Sequence, residues 1–148
     1  RRLLQVEGTE IKAIADVVEK NVTEANKRII EAGLPAALAF TGEEDWKKIC
    51  ERDDIDLIYQ CTPWLLHTPI AVYAMKHGKH AAIEVPAALS LAECWQLVDT
   101  AEETQRHCMG LLSHPSPPAA VPSGRSRAGR VGGNRATDLG PLRRQSLL

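Results

Sequence analysis

The stretch from Ile55 to Pro86, IDLIYQCTPWLLHTPIAVYAMKHGKHAAIEVP, constrains the fold more than any other part of the chain. An apolar run of strand length is followed by a loop, a helix-period segment and a second apolar run. Strand, loop, helix and strand in that order imply a right-handed crossover between parallel strands. In an open parallel sheet, ligands bind in the crevice beyond the carboxyl ends of the strands. The loop CTPWLLH and the terminus IEVP fall at two such ends, so both are expected to face one ligand. That is the form of a nucleotide-binding half-domain.

The flanking segments repeat the alternation. Residues 1–6 read as the end of a helix stopped at Glu7-Gly8. Ile11–Val18 is an apolar run suited to a buried parallel strand, with one acid, Asp16, near its end. Val22, Ala25, Ile29 and Ala32 recur at helical spacing, and Gly33 supplies the stop. Ala37–Phe40 reads as a short strand. Trp46, Ile49 and Cys50 mark one face of a helix from Glu43 to about Arg52.

Within the central stretch, Ile55–Cys61 is a strand. Thr68 is expected to cap a helix with Pro69 at its first position, burying Ile70, Tyr73 and Ala74 and ending at Gly78. Ala81–Val85 is the next strand. Ser90-Leu91-Ala92-Glu93 is a capping box opening a helix through Arg106, expected to bury Leu91, Trp95, Val98 and Ala101. Cys108–Leu112 begins a further strand. Strands alternating with helices give an α/β class, a doubly wound parallel sheet with helices on both faces.

Composition splits the chain in two. Residues 1–112 carry 12 Lys and Arg against 18 Asp and Glu, and hold all six aromatic residues. Residues 113–148 carry six Arg against Asp138 alone, with five Pro and five Gly. This second part has little with which to build a core and is expected to be a disordered tail. Its arginines are scattered, with no lysine and no interleaved aromatics, which argues against a nucleic-acid arm. A segment so unlike its neighbour also resembles translation in a shifted reading frame.

Cys50, Cys61, Cys94 and Cys108 show no CxxC or Cys/His ligand spacing, so no metal site is expected. They read as buried free thiols. No run is long enough to span a membrane. The chain opens at Arg1 without Met, which leaves the compartment open between cytoplasmic and exported.

An acid at the end of the second strand of a dinucleotide fold accepts hydrogen bonds from the adenosine ribose. Asp16 is placed for that role, and equally for a solvated strand end. The first strand and its glycine-rich phosphate loop belong roughly twenty residues earlier. They find no counterpart, so the expected fold is a partial Rossmann-type sheet lacking both. Trp64, just after a buried strand, either covers the core or lines the cleft. His67 taken alone is more often a helix-entry residue than a ligand contact. Glu84, ending an apolar strand, must be solvated, paired or bound to ligand, and ligand contact is the favoured reading.

Asp16, then CTPWLLHTPIAVYAMKHGKH, then IEVPAALSLAECWQLVDTAEETQRHCM resemble, in that order, the amino-terminal domain of the Gfo/Idh/MocA family of nicotinamide-dependent oxidoreductases. The resemblance spans about residues 3–110 and leans to the branch containing NAD-dependent α-N-acetylgalactosaminidases. It implies NAD as cofactor, with Asp16 on the adenosine ribose. It further implies that Trp64, Leu65, Leu66 and His67 line the cofactor, and that Glu84 and Val85 sit near the nicotinamide half. Most dehydrogenases of the family have Glu-Lys-Pro where this chain has Glu84-Val85-Pro86, and Val85 cannot move a proton. The glycosidase-like branch shares Glu-Val-Pro. Its members are implied to oxidise a sugar at C3, eliminate the glycoside, add water and return the hydride, unlike the two-carboxylate route. The family's second domain, with the sugar pocket, has no counterpart, and His114 matches nothing in it. The resemblance thus implies a cofactor-binding part, with a sugar substrate and oligomers only in a longer parent, inactive alone. The competing expectation is a decayed product, or an interaction module using the edge of an incomplete sheet.

Overall fold

The computed structural model describes residues 3–111 and 145–147. A 3-10 turn at Leu3–Gln5 leads through Gly8, at φ +80°, into β1 (Thr9–Ile11) and β2 (Ala13–Ala15). Then follow α1 (Glu19–Glu31), β3 (Leu38–Phe40), α2 (Asp45–Cys50) and β4 (Leu57–Gln60). A 3-10 turn at Trp64–Leu66 runs into α3 (His67–Lys76), followed by β5 (His80–Glu84), α4 (Leu91–Thr104), β6 (Cys108–Leu111) and β7 (Gln145–Leu147). Every strand pair is parallel. β2 pairs with β3, β4 with β5, β5 with β6, and β1 with β7. This is the α/β, Rossmann-like architecture the alternation implies. Among the described residues no helix is long and apolar enough to cross a membrane.

Helix α3 holds the fold together because it is apolar nearly all round, the pattern of a helix enclosed by other elements. Ile70 and Ala74 join Ala13, Ile49, Cys50, Ile55 and Ile58 in one buried cluster. Ala71, Val72 and Met75 join Ala81, Ile83 and Leu97 in a second. α1 is tied in differently. Asn26 both donates to Ala37 O at 2.9 Å and accepts from Ala37 N–H at 2.8 Å, so one side chain stands in for a strand neighbour.

Several details depart from the sequence reading. The run Ile11–Val18 stops as a strand at Ala15, because the Asp16 carboxylate accepts Val18 N–H at 2.8 Å and turns the chain. α3 begins at His67, one residue before Thr68. Thr68 is buried and donates to Ala87 O at 3.2 Å rather than capping the helix. The capping box on α4 is present as read: Glu93 N–H donates to Ser90 Oγ, and Ser90 N–H to Glu93 Oε2. The buried face of α4 is not. Leu97 and Thr100 turn inward, while Leu91, Trp95 and Val98 are 73, 60 and 46% exposed. The helix carries two neighbouring apolar stripes, and contact with α3 selects the narrower one. Of the cysteines, Cys50 is a buried thiol whose pKa is pushed up to about 12 by burial, but Cys61 and Cys94 are exposed. Of the tail, residues 112–144, with His114 and the expected domain boundary at 112/113, lie outside the described residues. Gln145–Leu147 forms the short strand β7.

Candidate dinucleotide cleft

The carboxyl ends of β2 and β4 open onto a cleft of about 330 Å³, near the lower end of small-ligand pockets. Its walls are Ala15 at the end of β2 with Asp16 and Val17 after it, Gly42 and Glu43 from the loop after β3, and Cys61, Thr62, Pro63 and Leu66 from the loop after β4. Crossovers that return to parallel strands deliver these loops to one edge, although they lie some distance apart in sequence.

Asp16 is fixed before any ligand arrives. One oxygen accepts Val18 N–H, and the other accepts Asn21 Nδ2 at 2.9 Å. A carboxylate has about four acceptor sites, so two stay available for hydroxyl donors. Gly42 closes the opposite lip. Its N–H donates to Asp45 Oδ2 at 2.8 Å, and a Cβ there would lie 2.8 Å from the same carboxylate, so any larger residue has to push that carboxylate aside. The Lys48 ammonium beside Asp45, helped by that N–H, holds the Asp45 carboxyl below its usual range.

The floor contains two orphaned polar atoms. Gln60 is only 3% exposed; its Nε2 donates to His67 O at 3.0 Å, but its Oε1 has no partner among the described residues. Thr62 Oγ1 is buried and unpartnered as well. A buried polar atom left without a hydrogen bond costs about 1–3 kcal/mol, and both atoms lie beneath the cleft surface rather than on it. The Asp16 acceptors stand beside the apolar walls of Pro63 and Leu66, a set suited to a ligand that carries hydroxyl groups.

The other residues singled out from sequence fall into three places. Leu66 lines the cleft with Asp16. Trp64 and Leu65, 62 and 76% exposed, sit in the 3-10 turn after β4 but are not among the cleft's lining residues, and Val85 is exposed just after β5. His67 has no ring nitrogen to spare: Nδ1 lies 2.7 Å from Pro86 O and Nε2 2.8 Å from Thr62 O, in a residue 1% exposed. It therefore clamps the loop after β4 to the loop after β5. Thr68 does the same through Ala87. Glu84, half-buried, receives the Tyr59 hydroxyl at 3.4 Å across β4 and β5. Burial, then the neighbouring Cys61 and Glu84, push the Tyr59 pKa up to about 12 and keep it a donor. Burial and Glu84 also push the Cys61 thiol up. Among the described residues no group of three or more His, Cys, Asp or Glu could hold a metal ion.

Sequence reasoning passed over Tyr59, Gln60, Thr62 and Gly42. The signal was present for Gln60, the one amide in the apolar run IDLIYQ, and for Thr62 within CTP. The signal for Gly42 lay in no motif, since it depends on where Asp45 turns back.

The chain is similar to known proteins over most of its described length. Residues 3–110 match the family model described as "Oxidoreductase family, NAD-binding Rossmann fold". An α-N-acetylgalactosaminidase of Bacteroides fragilis is 59% identical over 111 residues, 75% of this chain and 26% of that protein. A glycosyl hydrolase family 109 protein of Porphyromonas gingivalis is 52% identical over 111 residues, 74% of this chain and 24% of its own length. Among solved structures, a 3-ketoreductase of Actinomadura kijaniata in complex with NADP superposes with a TM-score of 0.62 at 25% identity. That match covers 73% of this chain and 30% of the reductase. The chain spans about a quarter of the length of the curated relatives it matches.

Proposed function

The chain belongs to the Gfo/Idh/MocA oxidoreductase family, as its NAD-binding Rossmann domain, and from that premise we propose that its cleft holds the adenosine half of NAD. The reading is carried by one observation: Asp16, its carboxylate aimed by Val18 N–H and Asn21, lines one cleft with Gln60, Thr62, Pro63 and Leu66 at the carboxyl ends of β2 and β4. Asp16 takes the ribose hydroxyls, already aimed by Val18 N–H and Asn21. Leu66 and Pro63 wall the base, and Trp64 and Leu65 stand exposed between them in the loop after β4. Glu84 and Val85, at the end of the neighbouring β5, face the nicotinamide half. His67 contributes by position, holding the loops after β4 and β5 at a fixed separation.

Bound NAD supplies reversible hydride acceptance. The residues here bind and orient, and Tyr59 fixes the Glu84 carboxylate. Val85 leaves no ammonium at the position where a lysine would exchange protons with a substrate hydroxyl. Together with identity to the galactosaminidase, this supports transient oxidation of a sugar at C3 in the whole protein, rather than net dehydrogenation. Residues 1–112 act as the cofactor-binding unit in this reading. By itself the chain turns over no glycoside, since an open cleft holds no sugar in register with the cofactor. A sugar site and oligomer contacts belong to a longer assembly.

Calorimetric titration of NAD into the whole chain, alongside Asp16→Ala, tests the reading. Saturable binding weakened about tenfold or more by Asp16→Ala, a loss of about 1.4 kcal/mol, is expected. Equal affinity in a folded variant removes Asp16 from the site and the reading with it.

A further inference from the structure

β6 pairs with β5 alone among the described strands, and a side chain makes the first bond of that pairing. Ala81 N–H donates to His107 O at 2.9 Å, so β6 meets β5 through alternate residues, His107, Met109 and Leu111. The His107 N–H donates not to a carbonyl but to His80 Nδ1, at 3.0 Å, on the first residue of β5. A backbone N–H only donates, so Nδ1 carries no proton in this arrangement, and the proton of the neutral ring sits on Nε2. The other hydrogen-bonded imidazoles among the described residues, His67 and His77, face carbonyl oxygens instead. His80 alone among them makes a bond that needs a bare ring nitrogen.

Protonation takes that nitrogen away. In an imidazolium both nitrogens donate, so turning the ring over does not restore an acceptor. The surroundings oppose the added charge as well. The His107 ring lies 5.2 Å from the His80 ring, centre to centre, and the Arg106 guanidinium reaches the turn before β5, 3.9 Å from where a Gly78 Cβ would stand. On the β4 side Asp56 accepts His80 N–H through its carbonyl at 2.8 Å, and its carboxylate supplies the opposing negative charge. Burial, then His107 and Arg106, lower the His80 pKa from its usual value, against a smaller upward pull from Asp56. The chain leading into β6 is held on its other side too. α4 closes with Gln105 at a left-handed φ of 54°, and Arg106 N–H returns to Ala101 O at 3.2 Å. Two successive amides thus anchor the junction, Arg106 to the helix and His107 to His80.

We propose that His80 is a pH-operated latch on β6. With the ring neutral, Nδ1 holds the α4–β6 junction against β5. With the ring protonated, the junction is released and β6 frays from His107 toward Leu111, while β4 and β5 stay paired. The latch lies at the opposite end of β5 from Glu84 and does not depend on dinucleotide binding. A folded pKa below the unfolded one means that the frayed state takes the proton more readily. The latch is therefore closed above about pH 6.5 and weakens as pH falls below it. Asp45 and Asp54, held below the carboxylate range, stay charged through that window and leave it clear.

The test is amide exchange of the whole chain at about pH 7.5 and about pH 5, either side of the ordinary histidine range, corrected for intrinsic rates. It is run beside His80→Asn, whose carbonyl oxygen accepts from His107 N–H but does not titrate, and the nitrogen shifts of the His80 ring give its tautomer. An unprotonated Nδ1 is expected at the higher pH. Protection at His107 and Met109 is expected to fall about tenfold at the lower pH, while Ile58 and Gln60 in β4 change less than about twofold. His80→Asn should hold His107 and Met109 at both pH values. A proton on Nδ1 at the higher pH, protection that does not change with pH, or a loss shared equally by Ile58 and Gln60 overturns the latch. So does the same loss in a folded His80→Asn. If that variant does not fold, the wild-type titration still decides, since the His107 amide and the His80 ring must share one midpoint.

Discussion

The two banks of the cleft are built to different standards. The β4–α3–β5–α4–β6 side has a three-stranded sheet and a central helix that feeds both buried clusters. The β2–α1–β3 side has a two-stranded sheet, and α1 buries only Val22 and Ile29. Leu38 and Ala39 of β3 are exposed. Yet the acid assigned to the ribose stands on the thin side, while the thick side supplies the facing wall of Pro63 and Leu66 and the His67 clamp. Packing thus fixes the position of one bank, and local hydrogen bonds fix the other. Asp16 is held by Val18 and Asn21, and Gly42 by Asp45, all within five residues in sequence.

The contrast is open to test by mutation, and the largest effect belongs to the thick side. Ile83→Ala removes a fully buried side chain between α3 and α4 and is expected to cost about 3–4 kcal/mol in denaturant unfolding. Val18→Ala, exposed on the thin side, is expected to stay within about 0.5 kcal/mol. A cost below about 1 kcal/mol for Ile83→Ala would erase the distinction. Next comes the clamp. His67→Leu removes the ring N–H that serves one of the Thr62 and Pro86 carbonyls, and about 1–3 kcal/mol is expected, read by the same unfolding curves. If NAD affinity falls with it, the two loops must be joined for binding.

On the thin side Gly42→Ala is expected to cost about 1–2 kcal/mol, because its Cβ displaces the Asp45 carboxylate. Circular dichroism of the variant checks that α2 shortens rather than the whole chain unfolding. The smallest effect is electrostatic. Asp45 and Asp54 are held below the ordinary carboxylate range by Lys48 and Arg52. A depressed folded pKa contributes stability above the unfolded value and loses it as pH falls through the folded one. Stability should therefore decline gently from about pH 4 downward, with a shallower decline in Lys48→Ala and in high salt.

How far the sequence carried the fold depends on what each element needs. The β4–α3–β5 unit was legible because its signals are local: apolar runs, Gly78 as the stop, the Ser90/Glu93 box. The buried face of α4 was not, since Leu91/Trp95/Val98 and Leu97/Ala101 are both apolar stripes and only contact with α3 chooses between them. The site divides the same way. Asp16 and Leu66, which line the cleft, stand after strand ends that periodicity locates, and so do Trp64, Leu65 and Val85, which do not line it. The inward turn of His67 depends on carbonyls 5 and 19 residues away, and the orphaned Gln60 oxygen on space between strands that no motif describes.

The most direct measurement is amide exchange of the whole chain with and without saturating NAD. Protection is expected on both banks together, at Asp16–Asn21 on the thin side and Tyr59–Leu66 on the thick side, with α4 from Leu91 to Thr104 unchanged. Protection confined to one bank, or centred on α4, would contradict a dinucleotide held between the ends of β2 and β4.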